Sequence, residues 1–262
     1  MRKKKFNLPA KIISILLIIL LAISFIIGYI WKVLITADFF AVKQVIVRNS
    51  DDQFEYLKGR NIFTLNLNNE AARATLRCPD CRKVRFARIL PSSIVVDFLK
   101  RRPLALVKFY KNFAIDEQGV LFHPDTTTEN LELPIIYGLE TKIFAPKPGM
   151  SYKRLELDLA LSIINEFKAN KAFGGFTLKK IDVADLGSAG FFMFLPRQIA
   201  NYTLAVPGAE WLGFEVRTGA YNIRQKMMIL GGLVIQEREE WANIKYIDLR
   251  FKEPLIKLNN AK

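Results

Sequence analysis

Residues 12–31 read IISILLIILLAISFIIGYIW, twenty positions without a charge. At a helical rise of about 1.5 Å per residue the run is about 30 Å long, the thickness of a bilayer's hydrocarbon core. It predicts a transmembrane helix over 12–35. Arg2, Lys3, Lys4, Lys5 and Lys11 precede the run, and only Lys32 follows at once. The excess of cations on the N-terminal side places the tail 1–11 in the cytoplasm and the bulk of the chain across the membrane. A cleaved signal peptide is the rival reading. Its apolar segment is usually about 7–15 residues and ends at a small-x-small site. This run is longer and no such site follows it cleanly, while Tyr29 and Trp31 suit the outer headgroup belt. It is read as an uncleaved anchor.

That anchor changes how the composition is weighed. The chain is 51% hydrophobic and 12% aromatic, which excludes a disordered protein. A net charge of +14 over 262 residues invites a nucleic-acid reading. Much of the excess flanks the anchor, and a translocated domain does not ordinarily meet nucleic acid. The mildly basic remainder suits anionic envelope polymers or an acidic protein partner.

The two cysteines form the tetrapeptide Cys78-Pro79-Asp80-Cys81. A redox pair wants its first thiol at a helix N-terminus, where the dipole stabilises the thiolate. Here NNEAARATLR reads as a helix that ends at Cys78, the wrong end. A zinc site needs four ligands, and the chain has one histidine. A local disulfide between Cys78 and Cys81, tightening a helix-to-strand turn, is the favoured reading. An inert thiol pair is the alternative, ahead of a redox or metal role.

Two regions follow the anchor. In 39–107, FFAVKQVIV alternates as a strand, DDQFEYLKGRNIF reads as a short helix broken at Gly59, and LNNEAARATLR as a second helix capped by Asn68 or Asn69. KVRFARIL and SSIVVDFLKRRPLALVKF are two further strands. This β-α-α-β-β order defines a small α+β domain with two helices on one face of a three-stranded sheet. In 108–262, FAIDEQGVLF reads as a hairpin turning on Glu117-Gln118-Gly119. YKRLELDLALSIINEFKANK has helical periodicity at Leu157, Leu161, Ile164 and Phe167. Strand patterns LKKIDVA, GFFMFL, NYTLAV and LGFEVR come next, then the helix AYNIRQKMMILGGLVI and the strands IKYIDLRF and PLIKL. The overall expectation is α+β: an N-terminal transmembrane helix, the small domain, then a β-rich domain whose antiparallel sheet carries its helices on one face.

Catalytic constellations are scarce. His123 lies at the edge of a hairpin, and any Ser-His-Asp triad would depend on it. Ser188 in LGSAG lacks the glycine that a nucleophile elbow places two residues earlier. No phosphate-binding loop of the G-x-x-x-x-G-K-[ST] type occurs. The expectation is a non-enzyme with no cofactor and no metal. Arg82, Lys83, Arg85 and Arg88 cluster, as do Lys100, Arg101 and Arg102. They read either as a solvated sheet face or as a surface for an acidic partner or phospholipid headgroups beside the membrane, with Arg82, Arg85 and Arg88 as the candidate recruitment surface.

These residues resemble a known family. FFAVKQVIV is similar to the opening strand of a POTRA domain, the polypeptide-transport-associated module, and GRNIFTLNL to the turn before its second helix. VRFARILPSSIVVDFLKRRPLALVKF resembles its pair of strands, ending in an E-R-x-P-like element filled here by Lys100-Arg101-Arg102-Pro103. AIDEQGVLF is similar to a D-x-x-G-x-x-F hairpin, and YIDLRF to a closing V-D-L-R-Y/F element. In this order after one anchor, they resemble the FtsQ/DivIB cell-division proteins. The resemblance implies a POTRA domain at 39–107, a C-terminal β domain at 108–262, and a divisome scaffold in a bacterial inner membrane. It implies FtsB-like and FtsL-like coiled-coil partners, the former adding a strand near the C-terminus. Carried over, the partner edge comprises Tyr246, Arg250, Phe251 and Glu253, with Pro254 removing a backbone donor. Another POTRA-bearing envelope adaptor and an envelope hydrolase are the rivals. The first lacks the strands of an export barrel and the second an activating base.

Overall fold

The computed structural model describes residues 10–125, 128, 131–196, 211–236 and 241–259. Helix α1 (Ala10–Thr36) contains the apolar run. It is long and apolar enough to cross a membrane, and none of it is buried against the rest of the chain.

The chain divides into two compact units, Met1–Lys100 and Arg101–Lys262. In the first, β1 (Gln44–Arg48) runs parallel to β3 (Ser93–Lys100), and β2 (Cys81–Ile89) runs antiparallel to β3 on its other side. Helix α2 (Leu67–Arg77) buries Leu67 and Ala74 in a core with Val84, Ile94, Val96 and Phe98. The helix is capped by Asn66, whose side chain accepts the Asn69 N–H, rather than by Asn68 or Asn69. Leu67 is buried at the first helical position, and the cap falls on Asn66, just before it.

The expected first helix is reduced to one 3-10 turn, Glu55–Leu57. Its backbone has other partners. Val42 N–H donates to the Arg60 carbonyl, Gly59 N–H to that of Val42, and Ile62 N–H to that of Phe40. Gly59 sits at a φ of 77°, a conformation no helix contains. These links hold the segment across the start of β1, and Phe54, Leu57 and Ile62 enter the core from it. Asn61 reaches further. Its amide donates to the carbonyls of Leu34 at 2.9 Å and Ile35 at 2.8 Å. Those carbonyls belong to the last turn of α1, where intrahelical donors run out.

Among the described residues the second unit is built on nine strands: β4 (Ala105–Lys108), β5 (Asn112–Ile115), β6 (Leu121–Phe122), β7 (Ile135–Tyr137), β8 (Thr177–Asp182), β9 (Gly190–Pro196), β10 (Trp211–Arg217), β11 (Ile244–Asp248) and β12 (Leu255–Leu258). Their spatial order is β12-β11-β10-β9-β8-β7-β4-β5-β6. Because β4 joins this sheet, the chain divides at Lys100/Arg101 rather than at the expected 107/108. The sheet is mixed, not purely antiparallel: β4–β7, β7–β8 and β10–β11 are parallel. Helix α3 (Leu155–Ala169) connects β7 to β8, and α4 (Ile223–Gln236) connects β10 to β11. A strand that returns through a helix lies parallel to the one it left. The expected strand NYTLAV, 201–206, lies outside the described residues.

Alternation sends Ile181, Phe191, Met193, Val216 and Ile247 to one core with Leu157, Ile163 and Ile164 of α3 and Met227, Leu230 and Val234 of α4. Each such side chain contributes about 1.5–3 kcal/mol by leaving water. The other face of strands β8–β11 is left to polar and aromatic residues.

Candidate partner-binding edge

The last strand forms one lateral edge of the large sheet. β12 is antiparallel to β11, with Asp248 opposite Leu255, Ile247 opposite Ile256 and Tyr246 opposite Lys257. All four of its residues are exposed, including Leu255, Ile256 and Leu258. Among the described residues no strand pairs with its outer side. Asn259 N–H donates inward to the Asn243 carbonyl. Backbone alternation then aims the N–H groups of Ile256 and Leu258 outward. Pro254 occupies the next outward position and has no N–H to offer.

Beside this edge, strand register assembles two rows on the face away from the core. One runs Lys180, Phe192, Glu215, Tyr246, Lys257, and the other Asp182, Gly190, Arg217, Asp248, Leu255. Cations alternate with rings and carboxylates. The Lys180 ammonium lies 5.6 Å from the Phe192 ring centre, and the Arg217 guanidinium 4.2 Å from that of Tyr246. Arg217 also holds Glu215 through two hydrogen bonds, of 2.9 and 3.2 Å. That pairing raises the guanidinium pKa above its ordinary value.

Arg250 stands at the end of the second row. Its Nε and Nη2 donate to Asp248, the shortest bond being 2.7 Å, and its backbone N–H donates to the same carboxylate at 3.0 Å. Asp248 is buried while Arg250 is partly exposed, so the carboxylate orients the guanidinium from beneath. These hydrogen bonds hold the Asp248 carboxyl below its usual range. Behind the pair, burial lowers the pKa of Lys226, whose ammonium donates to the Thr218 carbonyl. Arg217 and Arg250 share a depression of about 420 Å³ with Lys180, Asp182, Ser188 and Phe192. Two guanidiniums with their outer donors free of the core, beside an exposed ring at Phe251, can take a carboxylate and an apolar side chain from an approaching segment.

The structure separates the four expected contact residues. Tyr246 lies in β11, already paired on both sides by β10 and β12, so its backbone is not on the edge and its ring supports Arg217. Arg250, Phe251 and Glu253 lie in the link between β11 and β12, where Phe251 is 58% exposed. The edge itself is β12, one strand beyond the element on which sequence reasoning centred. Arg217, Ile256, Leu258 and Lys257 were missed. The alternation in FEVR, Glu and Arg two apart, is the signal that puts Glu215 and Arg217 on one face.

The residues of the basic cluster have different neighbours. Arg85 lies opposite Asp97, whereas Arg88 reaches back to donate to the carbonyls of Ile62 at 2.8 Å and Leu65 at 2.7 Å. Arg82 sits within a register shift between Cys81 and Lys83. Cys78 and Cys81 are joined by a disulfide at the end of α2. Arg101, read from sequence as part of a basic run, is bound to Asp116 at 2.6 Å, and both are largely buried. Asp116 also accepts the N–H groups of Gln118 and Val120, closing the β5–β6 turn. The K-R-R-P element and the D-x-x-G hairpin are therefore two halves of one internal contact.

The architecture is that of a membrane protein with one apolar N-terminal helix, a three-stranded POTRA-like unit and a large sheet whose last strand, among the described residues, has no strand on its outer side. No family model matches the chain. It is 24% identical over 233 residues to the cell division protein FtsQ of Syntrophotalea carbinolica, covering 86% of this chain and 76% of that protein. FtsQ of Geobacter sp. (strain M21) is 23% identical over 199 residues, 76% of this chain and 65% of its own length. FtsQ of Myxococcus fulvus is 29% identical over 105 residues, 40% of this chain and 37% of that protein. The chain thus spans between about a third and three quarters of these relatives. Five cell division FtsQ proteins match at 23–29% identity, and their agreement across much of the sequence, on this architecture, supports the resemblance to the FtsQ/DivIB family.

Proposed function

We propose that the protein is a non-enzymatic, single-pass scaffold of the bacterial division machinery, held in the inner membrane with its N-terminus in the cytoplasm. Its β12 edge accepts a strand from a small FtsB-like coiled-coil partner, with an FtsL-like protein in the same assembly. Through them it links early assembly at the septum to peptidoglycan synthesis, and the POTRA-like unit serves recruitment. The observation that carries this reading is the open edge: outward N–H groups at Ile256 and Leu258 stand beside Arg250 and the exposed Phe251. Strand addition derives affinity from backbone bonds and selectivity from such flanking side chains. The cations before the apolar run support the orientation.

The test is a photocrosslinking residue at Phe251 in the full-length chain, in its native host. Capture of a small coiled-coil division protein is expected, and Ile256→Pro, which removes an outward donor, should weaken that capture at least tenfold, about 1.4 kcal/mol. Undiminished capture in Ile256→Pro would move the binding site off the edge. Normal division after depletion of the protein would sink the scaffold reading itself.

A further inference from the structure

We propose that the turn between β2 and β3, led by Ile89 and Leu90, seats in the outer headgroup layer of the membrane that α1 crosses. The inference rests on reading α1 as a membrane span. Three sets of hydrogen bonds bring the turn to the span's end. Asn61 holds the carbonyls of Leu34 and Ile35. Arg88, the residue before Ile89, holds the carbonyls of Ile62 and Leu65, next to Asn61 in the chain. On the far side of the turn, the Ser92 carbonyl accepts the N–H of Lys43, seven residues after the helix ends. The turn is thus tied from both flanks to the segment that leaves the bilayer.

What it presents there is apolar. Ile89 is 49% exposed and Leu90 59%, and Phe39 in the linker is 62% exposed. Lys32, Lys43 and Arg60 stand exposed around them. An apolar tip with a rim of cations at the level of a span's end has the chemistry of the interface: side chains enter the acyl boundary while ammonium and guanidinium groups meet anionic headgroups. Seating the turn gives the first unit a second contact with the bilayer besides the helix, and limits its tilt.

The test uses the full-length protein in vesicles of phosphatidylcholine and phosphatidylglycerol, without reductant so that Cys78 and Cys81 stay joined. An environment-sensitive dye is placed on a single new cysteine in Leu90→Cys, Leu76→Cys or Leu20→Cys. Leu76 is 85% exposed near the end of α2 that leads to the start of β2, roughly 25 Å along that strand from the turn. The dye at position 90 should be several-fold less accessible to aqueous iodide than the dye at 76, and quenched by lipids spin-labelled near the headgroup. Equal accessibility at 90 and 76, with position 20 shielded, overturns the proposal while leaving the span intact. Accessibility at position 20 overturns the span and the proposal together.

Discussion

The two ends of the large sheet face the same hazard, a row of unpaired backbone groups, and meet it in opposite ways. At one end β6 is only two residues long, and Leu121 and Phe122 are buried. Its outer side is strapped: Leu121 N–H donates to the Met150 carbonyl, and Gly149 N–H to that of Leu121. Behind it Asp116 and Arg101 lock the hairpin. At the other end β12 is exposed along its whole length and carries three apolar side chains into solvent. Proteins normally blunt edges because exposed ones recruit other strands. A chain that closes one edge so thoroughly and leaves the other open has the means to close both. The difference is what the proposed strand addition at β12 requires.

Four substitutions can break or sharpen this contrast. Asp116→Ala should have the largest effect, because it takes the carboxylate from a buried guanidinium and leaves two turn N–H groups without their acceptor. A loss of about 3–5 kcal/mol is expected in denaturant unfolding of the full chain, followed by tryptophan fluorescence. A loss below about 1 kcal/mol would remove the lock from the closed end. The next test puts the same residue type on both edges. Leu121→Ala should cost about 2–5 kcal/mol, whereas Leu258→Ala should stay within about 0.5 kcal/mol. Similar costs at the two positions would erase the distinction between a packed edge and an open one.

A charge-dependent effect is expected at Asp248. Its folded pKa is depressed by the hydrogen bonds from Arg250, so the unfolded chain binds a proton at higher pH than the folded one. The stability this supplies is complete above the unfolded value of about 4 and is lost as pH falls through the folded value. Asp248→Asn should therefore cost about 1.5–3 kcal/mol near neutrality. The gap between variant and parent should narrow below about pH 4. A gap that is independent of pH would assign the cost to packing and not to charge.

What could be read from the sequence follows the range of the interactions involved. The apolar helix, α3 and the β5–β6 hairpin rest on local periodicity and turn chemistry, and each appears where its pattern lies. The segment 51–63 has helical spacing too, but its backbone is claimed by residues 40–42, a competition no local window contains. Parallel pairing escaped for the same reason, since β4 meets β7 and β10 meets β11 only after long excursions. At the site, Arg250 and Phe251 were legible through a short motif. Arg217 was not, because its relation to Tyr246 and to the depression it shares with Arg250 exists only once β10 and β11 lie side by side. Arg101 was misread as surface charge because its partner, Asp116, lies across a hairpin.

Pro254 acts on the open edge as an end stop. An added strand finds donors at Ile256 and Leu258 and then a position with none. Past that point a guest strand meets the Pro254 carbonyl but no N–H, so pairing weakens there. In the proposed strand addition the edge would therefore measure as well as bind: Pro254 sets a zero mark, and a guest segment would be judged by where its own acidic and apolar side chains fall when counted from it.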